Sequence, residues 1–243
     1  MKIRKKFVFA LCVAFLFMAQ NQYALAVPDV EADKFPSLID FLPAPPVPGD
    51  PDFERDVAIY QGTRSEKGSP RWEQATFDAD DKAHLEDLFL DAFGLRITPQ
   101  GAPATRKLLN MVIDAMAKTI DPAKDHYMRT RPFVHFNAVG STCSPMQEIR
   151  LLTNGSYPSG HSGRGWGLAL ALAEISPERQ EAILKRGYEL GQSRVICGVH
   201  WQSDVDSARL GASVAMIQLH NNPEFLHLLE KAKAEIRGLR RPQ

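Results

Sequence analysis

Apolar residues recur along this chain at the three- and four-residue spacing of an amphipathic helix. Residues 104–120 carry a long stripe of this kind, and a shorter one in residues 82–93 consists of Leu85, Leu88, Phe89 and Phe93. Residues 163–175 and 204–219 are apolar, rich in small side chains and also typical of helices. No stretch alternates apolar and polar residues over the length of a strand. The pattern predicts an all-α protein with a single domain.

Prolines indicate where several helices begin, because the first helical turn tolerates a residue without a backbone N–H. Asp121-Pro122, Ser176-Pro177 and Asn222-Pro223 each pair a capping residue with such a proline. They predict a new helix after residue 121 and helices over residues 178–190 and 224–236. Acidic side chains ahead of residue 82 could suggest a calcium-binding loop, but the glycine and distal glutamate of such a loop are missing. They are therefore interpreted as the acidic first turn of a helix. These residues are Asp78, Asp80 and Asp81.

The first 26 residues have the pattern of a secretory signal peptide. A basic start is followed by an apolar run over residues 7–18 and by Ala24-Leu25-Ala26, the small-residue pattern that precedes a cleavage site. We predict cleavage after Ala26 and a periplasmic protein; the alternative is an uncleaved membrane anchor. Beyond Val27 the longest apolar run, residues 168–173, is too short to span a bilayer, so no membrane association is expected after cleavage.

A proline-rich stretch, residues 27–52, follows the predicted cleavage site. Its prolines disfavour both helix and central strand, so an extended segment along the surface of the chain's own domain is expected. Residues 53–243 then form the predicted helical domain. Residues 1–26 hold four of the 29 basic and none of the 29 acidic residues, so the processed chain would carry 25 against 29, a net charge of −4. This balance argues against a nucleic-acid partner.

Three short blocks carry candidate chemistry. The first, Lys124 with Arg131-Pro132, could place two cations in one pocket if both lie on one helical face. The second, residues 155–161, ends in Ser159-Gly160-His161 at a predicted helix start, where unpaired backbone N–H groups attract anions. By itself each block has an ordinary structural interpretation: a solvated helix face for the first, and a capped helix with an exposed histidine for the second.

The third block contains Ser193-Arg194, His200 and Asp204. If His200 and Asp204 share a helix, the carboxylate can hold one imidazole nitrogen and leave the other as a lone pair. Together the blocks supply what phosphoryl transfer needs without a metal: cations, a backbone anion site, a proton donor and a nucleophile. The histidines lack metal-binding spacing, so no metal or other cofactor is expected. Cys143 and Cys197 could form a disulfide or remain buried thiols.

The three blocks in this order resemble the signature of the type 2 phosphatidic acid phosphatase superfamily, which also contains vanadium-dependent haloperoxidases. The surrounding residues, 154–161, 185–198 and 200–206, narrow the resemblance to bacterial class A non-specific acid phosphatases. It implies an all-α acid phosphatase domain, often in a homo-oligomer, acting on small phosphomonoesters such as nucleotides, sugar phosphates and aryl phosphates. Ser162-Gly163-Arg164-Gly165 departs from the expected pattern, and a cation there could alter substrate preference.

The resemblance also implies a role for each site residue. Phosphate oxygens would be bound by Lys124, Arg131, Ser159, Gly160 and Arg194. His200 would form a phosphohistidine, Asp204 would orient it, and His161 would act as general acid and then base. Transfer of phosphate to alcohols would be a side reaction. The alternatives are a vanadate-dependent haloperoxidase, a membrane lipid phosphatase and a non-catalytic phosphate-binding protein.

Overall fold

Helices joined by turns build the chain, as seen in a computed structural model that describes residues 34–80 and 85–240. No β-strand occurs in that part of the chain, which confirms the predicted all-α class. In chain order the helices are α1 (Pro51–Thr63), α2 (Pro70–Ala79), α3 (Leu85–Leu88), α4 (Leu90–Phe93), α5 (Pro103–Tyr127), α6 (Pro132–His135), α7 (Pro145–Leu151), α8 (Gly160–Ile175), α9 (Gln180–Ile196), α10 (Gln202–His220) and α11 (Pro223–Leu239).

Helix α8 lies at the centre and packs against α5, α9 and α10. Its glycines make this close packing feasible, which offsets the cost of about 1 kcal/mol that each glycine carries in a helix interior relative to alanine. A methyl group on Gly163 would lie 2.1 Å from Ile120 Cδ1 of α5, and one on Gly165 would lie 3.0 Å from Leu190 Cβ of α9. On the facing helix, a methyl group on Gly187 would lie 2.3 Å from Ala169 Cβ. The interfaces of α8 with α5 and with α9 therefore have no room for a side chain at these positions.

Helix α5 continues through Pro122, so the predicted new helix start at Asp121-Pro122 is wrong. Pro122 cannot donate to the Lys118 carbonyl four residues earlier. Both residues are exposed, so water can bind that carbonyl instead. The buried stripe that includes Ile120 also runs on to Ala123 and Lys124, and its packing keeps the helix intact across the proline.

Other boundaries differ from the predicted ones in smaller ways. The sequence predicts one helix from residue 82, but residues 85–93 form two short helices separated by Phe89. Gly94, at φ +76°, ends the second one. Residues 81–84 lie outside the described part. The prediction before residue 224 is confirmed, because Asn222 Oδ1 accepts hydrogen bonds from the N–H groups of Glu224 and Phe225. Before α9, Pro177–Arg179 is a 3₁₀ turn, and α9 runs six residues past the predicted end at Leu190.

The segment before α1 packs on the helices through apolar and polar contacts. Leu38 is buried within a 3₁₀ turn, Leu38–Asp40, which replaces extended backbone there. Tyr157 Oη donates to the Pro43 carbonyl at 2.7 Å. The predicted signal peptide, residues 1–26, lies outside the described residues. Within residues 34–80 and 85–240 no helix has the length and apolar character needed to cross a membrane.

We predict that Gly187→Ala lowers the free energy of unfolding by about 1–3 kcal/mol, because the new methyl group must push α8 away from α9. Chemical denaturation with the disulfide intact measures this change. Gly62→Ala is the matched control, since Gly62 also lies in a helix but has nothing within 4 Å of the added methyl. It should raise the stability by up to about 1 kcal/mol. Equal effects of the two changes would contradict the packing argument.

Candidate active site

A cleft of about 370 Å³ opens where the C-terminal part of α5, the start of α8 and the loop before α10 meet. Residues from all three sequence blocks line it, with Asn154 and Arg164 beside them. The predicted site residues among them are Lys124, Arg131, Gly160, His161, Arg194 and His200. The fold therefore brings together side chains that lie up to 76 residues apart in sequence.

His200 is 2% exposed and lies just before α10, so it does not share a helix with Asp204. Its Nδ1 lies 3.2 Å from Asp204 Oδ2, because Asp204 is the third residue of α10 and points back at the loop. Its Nε2 lies 3.1 Å from Arg131 Nη1. An arginine can only donate, so Nε2 accepts and Nδ1 carries the hydrogen that Asp204 receives. The tautomer leaves the Nε2 lone pair on the side of the cations.

Electrostatics keep this imidazole neutral. Burial lowers the pKa of His200 well below its usual value, and the charges of Arg131, Arg194 and Lys124 lower it further. Protonation would add a fourth positive charge to a site removed from water. His200 therefore stays neutral, with a usable lone pair, at mildly acidic pH.

Lys124 and Arg131 reach the cleft from different elements, which corrects the expectation of one shared helical face. Helix α5 ends at Tyr127, and Arg131 is the N-cap of α6. Burial, with the charge of Arg131 second, lowers the pKa of Lys124 to about 8. Burial likewise lowers the pKa of Arg131 to about 10. Both groups carry less solvation than a surface cation, which strengthens their interaction with an anion.

Carbonyl oxygens hold the Arg131 guanidinium in place. It donates to the backbone oxygens of Asn154 at 2.9 Å, Gly155 at 3.0 Å and Val199 at 2.9 Å, and to Asn154 Oδ1 at 2.9 Å. These contacts tie the loop before α8 to the loop that carries His200. Sequence analysis assigned no role to Asn154. The one signal that could have suggested a role is that Asn154 directly precedes the second block, residues 155–161.

The start of α8 forms another wall of the cleft. Gly160 and His161 are its first two residues and line the cavity, with His161 partly exposed. A methyl group on Gly160 would lie 3.3 Å from Lys124 Nζ, so glycine lets the ammonium approach the helix N-terminus. Ser159 is fully buried behind this wall, not among the lining residues: its Oγ accepts from Ser162 Oγ at 2.8 Å. Its N–H donates to the Asp204 carbonyl at 3.0 Å.

Asp204 is completely buried and paired on both oxygens. Oδ2 accepts from the Trp201 N–H at 2.8 Å, and Oδ1 accepts from Arg129 Nη1 at 2.6 Å. Burial raises the pKa of Asp204, while Arg129 opposes that rise. Arg129 also donates to Asp56 Oδ2 of α1 at 2.9 Å. Two buried carboxylates thus share one buried guanidinium.

Comparison with known proteins identifies relatives of this chain. The PAP2 superfamily model matches residues 104–221, which include all three blocks. A non-specific acid phosphatase of Providencia stuartii is 50% identical over 202 residues, covering 82% of this chain and 81% of that protein. One of Salmonella typhimurium is 44% identical over 81% of this chain and 78% of its own.

The chain belongs to the non-specific acid phosphatases of the PAP2 superfamily. An acid phosphatase of Zymomonas mobilis, 36% identical over 82% of this chain and 75% of its own, lies further away.

Asp56 falls outside residues 104–221, whereas its partner Arg129 falls inside them. Sequence analysis missed both residues, because nothing in the spacing of α1 indicates that Asp56 reaches the site.

Two further contacts fix the helix that carries Arg194 in this acid phosphatase. Cys143 and Cys197 form a disulfide with an S–S distance of 2.07 Å, which joins the loop before α7 to the end of α9. Asp78 lies buried near the end of α2, where it pairs with Arg186 and accepts from the Ser193 hydroxyl. The interpretation of Asp78 and Asp80 as a first-turn acidic cluster is therefore wrong, since Asp78 lies inside α2 and Asp80 is its C-cap.

We predict that Arg129→Met lowers the free energy of unfolding by about 3–5 kcal/mol, because it leaves two buried carboxylates without a cation. It should also lower kcat about 100-fold, because without Arg129 the pKa of Asp204 rises further and a protonated Asp204 no longer holds the hydrogen on His200 Nδ1. Denaturant unfolding and steady-state hydrolysis of a phosphate monoester measure the two effects.

Two variants distinguish the orienting role of Arg129 from its contribution to the stability of the fold. Adding Asp56→Asn to Arg129→Met should recover part of the stability but not kcat, because Asp204 still lacks its cation. Arg179→Met removes a guanidinium that caps carbonyls of α4, away from the cleft, and should lower stability alone. Recovery of kcat together with stability in the double variant would contradict the orienting role of Arg129.

Proposed function

We propose that the chain hydrolyses small phosphate monoesters through a phosphohistidine intermediate on His200, without a metal ion. The observation that carries the proposal is the neutral imidazole whose Nε2 lone pair lies among buried cations: Arg131 Nη1 is 3.1 Å away, and Lys124 and Arg194 line the same cleft. Cations around a lone pair suit a dianionic electrophile, because they neutralise its charge and allow the nucleophile to approach.

In the first step the phosphate binds between the cations and the N-terminus of α8 at Gly160. Nε2 of His200 attacks phosphorus as the bond to the alcohol oxygen breaks. His161 gives its proton to that oxygen, so the product leaves as a neutral alcohol. The phosphorylated imidazole gains positive charge, and the hydrogen bond from Nδ1 to Asp204 stabilises it.

In the second step water attacks the phosphorus of the intermediate. His161, now neutral, takes a proton from this water, and the phosphorus–nitrogen bond breaks. Inorganic phosphate leaves and the neutral His200 is restored. An alcohol in place of water would give a transferred phosphate, which is the expected side activity. Ser159 contributes indirectly, because its buried hydroxyl supports the first turn of α8.

We further propose that residues 1–26 are removed on export, that residues 53–243 form the catalytic domain behind the proline-rich segment 27–52, and that the enzyme acts in the periplasm as a homo-oligomer. The basic and apolar pattern of residues 1–26 supports export. The disulfide between Cys143 and Cys197 also suits an oxidising compartment.

The decisive experiment measures hydrolysis of 4-nitrophenyl phosphate by the purified mature protein from pH 4 to 8, with and without EDTA. We expect EDTA-resistant turnover with an acidic optimum and a loss of at least about 1000-fold in His200→Ala. The acid limb of kcat/KM should lie below pH 6.5, because the pKa of His200 is lowered and the nucleophile stays neutral there. Alkaline quenching followed by mass spectrometry should find phosphate on His200.

Specific outcomes would count against this mechanism. Loss of activity in EDTA would indicate a metal, and tight phosphate binding without turnover would indicate a binding protein. Halide oxidation that requires added vanadate would indicate haloperoxidase chemistry. Unchanged activity in His200→Ala would exclude His200 as the nucleophile.

Lys124 gives a separate pH prediction. Its pKa of about 8 means that, in the ligand-free enzyme, the side chain is mostly a charged ammonium at pH 6 and mostly a neutral amine at pH 9. The Kd for sulfate, an anion whose charge stays constant over this range, should be about tenfold higher at pH 9 than at pH 7. Isothermal calorimetry measures it. Lys124→Arg should remove this rise, because a guanidinium stays charged; the same rise in that variant would assign it to another group.

A further inference from the structure

A second cavity, of about 390 Å³, adjoins the cleft on the side of the proposed general acid. The two cavities share Ile113, Arg150, His161 and Arg164. In the proposed reaction His161 protonates the departing oxygen, so the alcohol part of the substrate must extend past this histidine. The second cavity is therefore the space into which the leaving group points.

The walls of this cavity combine apolar and charged side chains. Four apolar residues line it: Leu88, Ile113, Leu168 and Leu190. Its charged groups are the guanidinium groups of Arg106, Arg150 and Arg164, the imidazole of His161, and the carboxylates of Asp78 and Asp80. Asp78 is already paired with Arg186, and Arg106, Arg150 and Asp80 also have partners, which leaves the Arg164 guanidinium as the charge available to a ligand. Such a surface favours a ligand with an apolar body and an anionic group.

Arg164 is the guanidinium best placed to meet that anionic group. It lies one turn after His161 on α8 and is only partly buried. Within residues 34–80 and 85–240 its side chain makes no hydrogen bond or ion pair, whereas Arg106 and Arg150 are not without a partner. After burial and Arg131, its charge also helps to lower the pKa of Lys124, which places it within electrostatic reach of the phosphate site.

We propose that the second cavity binds the alcohol part of the substrate and that Arg164 selects phosphate monoesters whose alcohol part carries a second anionic group. The group is a phosphate or a carboxylate, since a guanidinium binds both through the same paired hydrogen bonds. This inference rests on the proposed function, because the direction of the leaving group follows from the role of His161. It adds a substrate class that favours doubly anionic esters over neutral ones.

Calorimetric binding of two phosphonates tests the proposal without turnover. Phenylphosphonate and 4-carboxyphenylphosphonate differ by one carboxylate. The wild-type chain should bind the carboxylated compound at least about fivefold more tightly, and this ratio should fall in high salt. Arg164→Met should reduce the ratio to about one, because it weakens binding of the carboxylated compound more than binding of phenylphosphonate. Arg237→Met removes the same group from the exposed face of α11 and should leave the ratio unchanged.

The possible results are distinguishable. An equal affinity of the wild-type chain for the two phosphonates would overturn the proposal, and so would a ratio that survives in Arg164→Met. Equal weakening of both compounds in Arg164→Met would assign Arg164 to the common phosphate site, which also overturns it. Parallel hydrolysis of phenyl phosphate tests the proposed function alone: its failure with an intact binding ratio would remove the mechanism but retain the anion site.

Discussion

The active site depends on holding several cations around one neutral imidazole. Lys124, Arg131 and Arg194 repel one another, and burial deprives them of the water that would screen this repulsion. Burial is the largest cause of the lowered pKa values of Lys124 and Arg131, and a neighbouring arginine adds to each: Arg131 for Lys124 and Arg150 for Arg131. Arg131 remains in place because backbone carbonyl oxygens from two loops accept its hydrogen bonds. The rest of the fold can be understood as the means of bringing these oxygens and cations to one point.

Close helix packing provides that means. Glycines on the faces of α8 and α9 allow the two backbones to approach, so the start of α8 and the end of α9 reach the same cleft. At the end of α9 the disulfide and the contact between Ser193 and Asp78 flank Arg194 on both sides. Glycine destabilises a helix because it loses more conformational entropy on folding than other residues. The close packing that these glycines allow offsets this cost.

Sequence analysis could identify the helical class and most long helices, because their stripes and caps are local signals. It also selected the cleft residues, since the three ordered blocks are specific to one superfamily. It failed at Pro122, where tertiary packing of Ile120, Ala123 and Lys124 overrides a local start signal. It missed Arg129 and Asp56, because a contact between residues 73 positions apart leaves no trace in spacing. It also predicts Ser159 as a phosphate ligand, and the structure places its buried hydroxyl against Ser162 Oγ.

The missed residues matter because burial acts on His200 and Asp204 in opposite senses. It lowers the pKa of the histidine, which keeps the imidazole neutral, and it raises the pKa of the aspartate, which favours a protonated carboxyl. A protonated Asp204 could donate to Nδ1, and the imidazole would then carry its hydrogen on Nε2 and lose the lone pair that faces the cleft. Arg129 opposes this outcome by binding the ionised carboxylate at 2.6 Å, and Asp56 compensates the charge of Arg129 in turn. The tautomer of His200 therefore depends on an ion pair between Arg129 and Asp204, neither of which lines the cleft.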